Sequence, residues 1–544
     1  MLAHILVVII VAIAITAFAE RRNVQPALLV AMVGLAASFI PGVPRLELAP
    51  EIILGIFLPP MLFSAASDFS FSSFAKRLGS IVNLGVFMVF ATTALVGIVA
   101  TILVPGLGPA SAIVLGAVLA PPDAVAAISI GRKAGLPTAV MTVLKGESLI
   151  NDAAALTLFT VAVATAAGTH AFISSTPLYF IYAAIVGIVV GMIIGHVAQL
   201  ARRKLANPSL STAVSVIVPF AAYLLAEELH ASGVLAVVAA GFALGHHAAQ
   251  AGYAERIQER NFWRTIDTLL ETFVFAYIGL QLRFVIFDAD AAGYNIWGLL
   301  AAAAVIFLAT TLIRFAWVFG TALLGRWRHR RISDRLAHFE ATAKGRTGRR
   351  YPTLQPPLSW KENLVLAWTG MRGVVTLAAA AGIPALTVAG DAFQGRNAIL
   401  AIAFFVTIAT LVIQGLSLPW LIARLRLDDS RDRQFIAEQE ALAQQLCDEA
   451  DRAAVEAHLA GELDAETRRL AEFFAQRLAT TADKQPPFNA EASFRLGSML
   501  LEARRTRLIA ARDARQLDDT VLRDTLEQMD IEQAFVQRMS KPAG

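Results

Sequence analysis

The sequence predicts an all-α protein that crosses a membrane many times and ends in a soluble helical segment. Of its 544 residues, 56% are hydrophobic and only 16% are charged, whereas a soluble domain carries about a quarter charged residues. Apolar stretches of membrane-spanning length recur up to about residue 425. The rest of the chain is rich in charge, so the two regions are expected to face different solvents.

About thirteen apolar windows are long enough to cross the hydrocarbon core of a bilayer, which takes about 20 helical residues. The predicted spans are 3–19, 24–40, 51–66, 79–104, 110–131, 140–165, 177–200, 210–228, 232–249, 265–287, 295–324, 361–385 and 395–424.

The loops between these windows alternate in charge. Clusters of Lys and Arg follow the first, third, fifth, seventh, ninth and eleventh spans, and the other loops are nearly free of them. Since cytoplasmic loops are enriched in Lys and Arg, this pattern predicts an N-terminus outside and a C-terminal tail in the cytoplasm. No Lys or Arg precedes the first window, which is therefore interpreted as a retained helix and not as a cleaved signal peptide.

The tail, residues 426–544, is predicted to be a cytoplasmic helical segment with no catalytic motif, a regulatory or packing appendage. Its Cys447 is the only cysteine of the chain, which excludes a disulfide within the chain and a cysteine metal site. The net charge of +4 and the pI near 9.3 are explained by basic loops that orient the protein in a membrane, so nucleic-acid binding is not predicted.

Asp123 falls within the fifth predicted span, directly after Pro121 and Pro122. Because these prolines carry no N–H, the carbonyls of Ala117 and Val118 lose their helical partners. Freed carbonyl groups beside a carboxylate are the chemistry of a cation site in a broken helix. The alternative is a kinked helix in which Asp123 is bonded to a neighbour.

The sixth span contains Glu147, Ser148, Asn151 and Asp152. Ser148 and Asp152 are four residues apart, so they share one helical face. Their hydroxyl and carboxylate oxygens are the ligands that hard cations such as Na⁺ prefer. Glu147 projects to an adjoining face. The alternative is that these polar groups hold neighbouring helices together.

Two arginines also fall within predicted spans, Arg314 in the eleventh and Arg372 in the twelfth. A buried arginine needs an anion, and Glu147 is the natural partner of one of them, although the sequence does not decide which. Gly370 and Gly373 allow the twelfth span to unwind. Broken spans in both halves of the chain indicate an inverted-repeat transporter with a site near the membrane midplane.

Four stretches resemble conserved blocks of the monovalent cation/proton antiporters, in the branch of electroneutral Na⁺/H⁺ exchangers that includes bacterial NhaP-type proteins. They are PPDAVAA, GESLINDAAALTLF, FVFAYIGLQL and GMRGVVTLAAA, and the resemblance covers about residues 1–425. It implies a homodimer in the inner (plasma) membrane that needs no cofactor. A dimerisation part would comprise residues 1–66 and 177–287, and a mobile core with two crossed broken helices would comprise 79–165 and 295–424.

The resemblance also implies roles at the ion site. Asp152, next to Asn151, would bind the cation or the proton, and Asp123 and Ser148 would complete the Na⁺ ligands. Pro122 stands where many members have a threonine that supplies an oxygen, so the ligand set is expected to differ here.

Charged residues beside the ion site form a second group in the resemblance. Glu147 would pair with a core arginine, a position that Arg314 matches best, and Arg372 matches a second core arginine. Glu271 also falls within a span, where a structural and a gating role both stay open.

Together these features predict a secondary transporter that exchanges a monovalent cation, Na⁺ first of all, for H⁺ through competition at Asp152. Electrogenic relatives have a second aspartate where this chain has Asn151, which predicts electroneutral exchange. K⁺/H⁺ antiport is the alternative ion choice. A cation channel would need carbonyl filters or charged rings, and an intramembrane hydrolase would need a nucleophile or metal motif that the sequence lacks. The protein is therefore predicted not to be an enzyme.

Overall fold

Helices make up nearly all the regular structure of the residues described below, as expected where lipid offers the backbone no hydrogen-bond partner. The computed structural model describes residues 2–22, 25–41, 43, 45, 52–123, 125–168, 173, 175–205, 207–342, 358–427, 430–459 and 490–540.

Seventeen α-helices, numbered α1 to α17, are described before the tail. Their bounds are Leu2–Arg21, Pro26–Ser38, Leu58–Ser67, Phe71–Val82, Met88–Leu103, Pro109–Leu119, Val125–Ala134, Thr138–Ala167, Thr176–Arg203, Pro208–Glu228, Gly233–His247, Tyr253–Ala291, Ile296–Thr342, Trp360–Trp368, Val374–Ala381, Arg396–Ala409 and Gly415–Leu425. Short π-helical turns at Ile53–Phe57, Asn83–Phe87 and Thr410–Gln414 adjoin α3, join α4 to α5 and join α16 to α17.

Within the described residues, nine helices are long and apolar enough to cross a membrane. Shorter apolar helices are also present, namely Pro26–Ser38, Leu54–Ser67 and Pro109–Leu119. Large apolar side chains such as Leu6, Ile98 and Ile193 are exposed on the outside of the bundle, where lipid would cover them. The prediction of a polytopic helical membrane protein is confirmed, and the count of thirteen spans stays a prediction.

The two interrupted spans lie in contact. One breaks between α6 and α7, where Pro121 and Pro122 supply no N–H, and the other breaks between α14 and α15. The backbone N–H of Asp123 donates to the carbonyl of Met371 at 2.6 Å. The two breaks therefore satisfy part of each other's backbone hydrogen bonding at the centre of the helical body.

Three helices are described in the tail: α18 (Ser430–Leu459), α19 (Ala490–Asp513) and α20 (Asp519–Ser540). Their apolar faces form a core of their own, which includes Leu508, Leu522 and Leu526. Ala249, which follows α11 in the membrane body, belongs to the same core. The tail is thus packed against the membrane body.

Close packing of α9 on α11 depends on glycines spaced four residues apart, Gly187, Gly191 and Gly195. A Cβ atom on Gly187 would lie 2.6 Å from the carbonyl oxygen of Ser232, well inside van der Waals contact. Small residues let helix backbones approach in a membrane, where dispersion contacts replace the hydrophobic effect.

We expect Gly187→Val to lower the thermal unfolding temperature of the detergent-solubilised protein, because overpacking at such a contact costs about 1–3 kcal/mol. Gly320→Val is the matched control, since a Cβ there has no neighbouring atom within 4 Å. Equal unfolding temperatures for the two variants would show that the α9–α11 contact does not limit stability.

Candidate functional site

A cavity of about 850 Å³ opens between the helices of the membrane body. Side chains predicted to bind the ion line it, namely Asp123, Ser148 and Asp152. Residues of α3, α12 and the tail helix α20 also contribute to its wall. The wall carries both acidic and basic side chains, and ionisable residues in a membrane protein mark ion pathways.

Asp152 lies on α8 with 6% of its surface exposed, and its carboxylate borders the cavity. Ser148 precedes it by one helical turn and borders the same cavity. The helical spacing thus brings a hydroxyl and a carboxylate to one wall, as the sequence predicts for this pair.

Asn151 is fully buried and links α8 to the first helix break. Its side-chain Nδ2 donates to the carbonyl oxygen of Pro122 at 2.8 Å. Its Oδ1 atom has no hydrogen-bond partner among the described residues. The backbone oxygen of Pro122 therefore accepts from Asn151, and this contact holds Asn151, the residue next to Asp152, against the first helix break.

Asp123 lies beside the second helix break as well as in the first. Its Oδ2 atom accepts a long hydrogen bond of 3.4 Å from the backbone N–H of Val374, the first residue of α15. A helix N-terminus carries a partial positive charge that favours a carboxylate. Gly373 permits this approach, since a Cβ atom there would overlap the Asp123 carboxylate.

Glu147 and Arg314 form a bidentate ion pair, with distances of 2.5 Å from Nη1 to Oε1 and 3.0 Å from Nη2 to Oε2. Both side chains are almost fully buried. Arg314 also donates to the carbonyl oxygen of Leu366 near the end of α14, from Nε at 3.2 Å and from Nη2 at 3.1 Å. The pair therefore joins α8, α13 and α14 in one charge-neutral cluster.

Arg372, by contrast, donates to backbone carbonyls. Its Nε contacts the oxygen of Leu119 at 3.1 Å, and its Nη1 contacts the oxygen of Gly370 at 2.5 Å. These carbonyls lie where α6 and α14 end, and a cation there offsets the negative ends of both helices. Glu147 thus pairs with Arg314, and Arg372 lies between the two helix breaks.

Sequence reasoning missed two polar residues that border the cavity, Ser64 on α3 and Asp267 on α12. The hydroxyl of Ser64 donates to Asp267 Oδ2 at 2.5 Å. Asp267 precedes Glu271, another cavity residue, by four positions. This spacing, which places two acids on one helical face, was the signal available in the sequence.

Removal of one member of the buried ion pair should destabilise the protein by about 3–5 kcal/mol, because the other charge is left without compensation. We expect Glu147→Gln to lower the unfolding temperature strongly and Glu147→Gln with Arg314→Gln to recover part of the loss. Thermal unfolding in detergent measures both. A double variant less stable than the single one would contradict a dominant charge pairing.

Comparisons with known proteins identify the family of this chain. The family described as "Sodium/hydrogen exchanger, transmembrane" matches residues 6–424. An uncharacterized Na⁺/H⁺ exchanger of Mycobacterium tuberculosis is 31% identical over 97% of this chain and 95% of its own length. The Na⁺/H⁺ antiporter ApNhaP of Aphanothece halophytica is 29% identical over 75% of this chain and 71% of its own.

Among solved structures, the sodium proton antiporter MjNhaP1 of Methanocaldococcus jannaschii superimposes with a TM-score of 0.56 at 20% identity, over 78% of this chain and 98% of that one. This likeness supports the helical fold. The family match confirms the resemblance drawn from the motifs, and with it the prediction of a transporter and not an enzyme. The chain belongs to the sodium/hydrogen exchanger family of membrane transporters, and its activity is the exchange of Na⁺ for H⁺.

Proposed function

We propose that Na⁺ and H⁺ compete for the carboxylate of Asp152. The observation that carries the proposal is the placement of this buried carboxylate on the wall of a cavity, one turn from the hydroxyl of Ser148. A buried carboxylate without a bound ion carries an uncompensated charge, which is costly in a membrane protein. Either a proton or a cation removes that cost, so one site serves both ions in turn.

The proposed Na⁺ ligands are oxygens of Asp152, Asp123 and Ser148, all of which border the same cavity. Sodium is a hard cation, and oxygen ligands suit it by the logic that governs Ca²⁺ and Mg²⁺. The carbonyl oxygen of Pro122 accepts from Asn151, so it contributes to the site by fixing the position of Asn151 at the break.

Coupling follows from the cost of moving an empty site. The loaded site can change its exposure from one side of the membrane to the other, while the charged empty site is disfavoured. In this proposal the cluster of Glu147 and Arg314, together with Arg372, keeps the two broken helices together as one unit during the movement.

Electroneutral exchange, one Na⁺ per H⁺, is proposed because the residue beside Asp152 is the neutral amide Asn151. Its side-chain N–H already donates to a backbone carbonyl, and a carboxamide does not titrate, so it adds no exchangeable charge. We further propose that the protein is a homodimer of the plasma (inner) membrane with the N-terminus outside and the tail in the cytoplasm. Family membership and the alternation of basic loops support this setting.

We expect wild-type protein in liposomes with an acid interior to dissipate the pH gradient when Na⁺ is added, and Asp152→Asn to fall to the rate of empty liposomes. A pH-sensitive dye reports the gradient. Glu449→Gln, at an exposed position of the tail, is the control and should retain the wild-type rate. A response to K⁺ alone would show that K⁺ is the transported cation, and no response to any cation would favour a channel.

The same liposomes test electroneutrality. Exchange of one Na⁺ for one H⁺ moves no net charge, so the initial rate should be unchanged when valinomycin and a K⁺ gradient impose a membrane potential. A transport current, or a rate that changes severalfold with the potential, would show that unequal numbers of Na⁺ and H⁺ are exchanged.

A further inference from the structure

We propose that two matching stripes of leucine, tryptophan and arginine on α13 and α17 bind a phospholipid with an anionic headgroup. The inference goes beyond ion exchange and concerns the outer surface of the membrane body. Each stripe has one residue of each kind, four positions apart: Leu323, Trp327 and Arg331 on α13, and Leu416, Trp420 and Arg424 on α17.

The stripes lie on the outside of the protein. Residues four positions apart share one face of a helix, so each stripe follows one face of its helix from apolar to charged. The two leucines and two tryptophans have between 50% and 67% of their surface exposed, and both arginines are exposed. Each stripe therefore presents in order the groups that match an acyl chain, the glycerol region and a phosphate.

The length of α13 indicates the depth of its stripe in a bilayer. Trp297 and Trp327 are both exposed and lie 30 positions apart on this helix, which corresponds to about 45 Å. A bilayer with its headgroups is about 40–45 Å thick, and tryptophan is enriched at both interfaces. Trp327 is therefore expected at the level of the headgroups, with Leu323 beside acyl chains and Arg331 beside phosphates.

The start of α14 links the two stripes at one edge of the membrane body. Arg326, beside Trp327, donates to the carbonyl oxygen of Leu358 at 3.4 Å. Lys361 donates from Nζ to the carbonyl oxygen of Leu425, the last residue of α17, at 2.8 Å. Trp360, the first residue of α14, is exposed between these two contacts. The edge therefore combines three helix ends and three exposed tryptophans.

The charge at this edge is suited to an anion. Residues 326–335 contain five arginines and one aspartate. The guanidinium carbon of Arg331 lies 3.6 Å from the centre of the Trp327 ring, a cation–π contact that holds the charge beside the interfacial ring. Lys361 places a cation at the negative end of the α17 dipole. Basic clusters next to a membrane span attract anionic lipids.

An ordinary aromatic belt explains only part of this pattern. Tryptophans at an interface need no particular lipid, and a belt does not require an arginine one turn beyond each of them. Two helices that are distant in sequence carry the same three residues at the same spacing, and arginine can donate two parallel hydrogen bonds to a phosphate. The repeated arginine therefore favours selective binding of an anionic headgroup.

The first test compares two lipids on the same protein. In a Trp297→Phe background, the exposed tryptophans that remain are Trp327, Trp360 and Trp420, all at the proposed lipid site. We expect phosphatidylglycerol with brominated acyl chains, as a minor component of phosphatidylcholine liposomes, to quench tryptophan fluorescence at least twofold more than brominated phosphatidylcholine does. Added salt should reduce the difference, because it screens the attraction between exposed charges.

The second test removes the arginine of each stripe. Arg331→Gln with Arg424→Gln, in the same background, should make the two brominated lipids quench equally. Arg21→Gln with Arg22→Gln is the matched control, since it removes two exposed arginines at the end of α1, where Arg22 lies over the Phe18 ring at 5.5 Å. This control should keep the full preference for phosphatidylglycerol.

Several results would overturn the inference. Equal quenching by the two lipids before any arginine is changed would show an aromatic belt without selectivity, and this comparison does not depend on the folding of an arginine variant. No quenching by either lipid would show that another protein surface, such as a second copy of this chain, covers the stripes. Displacement of brominated phosphatidylglycerol by soluble glycerol 3-phosphate would show that a phosphate group alone is bound.

The lipid measurement is separate from the transport measurement. Quenching reports contact between lipid and tryptophan whether or not ions move. Protein that prefers phosphatidylglycerol but does not exchange Na⁺ for H⁺ would overturn the proposed function and support the lipid site. Protein that exchanges the ions but shows no preference between the lipids would do the opposite.

Discussion

A helix that breaks inside a membrane leaves carbonyl and N–H groups without partners, and lipid supplies none. Two helices of this chain break at the same place, and each break supplies hydrogen-bond partners to the other. The N–H of Asp123 donates to Met371, Arg372 donates to the carbonyl of Leu119, and Asn151 donates to the carbonyl of Pro122. The proposed ion site depends on this contact, because it holds the polar groups of three helices together.

The contact also explains why particular residues stand where they do. Gly373 is needed because any larger residue would occupy the place of the Asp123 carboxylate. Arg372 is suited to a position between two helix C-termini, since one guanidinium donates to carbonyls of both. Pro121 and Pro122 make the break, and the amide of Asn151 meets one of the carbonyls left there.

Much of this arrangement could be predicted from the sequence, because the determinants are local. Proline and glycine mark the two breaks, and helical spacing puts Ser148 and Asp152 on one wall. The choice between Arg314 and Arg372 as partner of Glu147 could not be predicted. It depends on how α8, α13 and α14 are rotated against one another, and 167 positions separate Glu147 from Arg314.

The contacts of the tail are even harder to predict from the sequence. Its helices follow from amphipathic spacing, whereas the pairing of Arg256 with Asp530 joins residues 274 positions apart and leaves no local signal. Asp267 is an intermediate case, since its spacing from Glu271 is visible in the sequence and its bond to Ser64 is not.

The charged groups around the proposed ion site explain why a cation would be bound there. Glu147 is neutralised by Arg314, and the charge of Arg372 is directed at helix ends. Asp152 borders the cavity with 6% of its surface exposed, so its carboxylate can interact with an ion that enters there. The attraction between a cation in the cavity and a carboxylate is strongest where least water surrounds the carboxylate. Binding of a proton to the Asp152 carboxylate is favoured for the same reason, so competition between the two ions requires no second site.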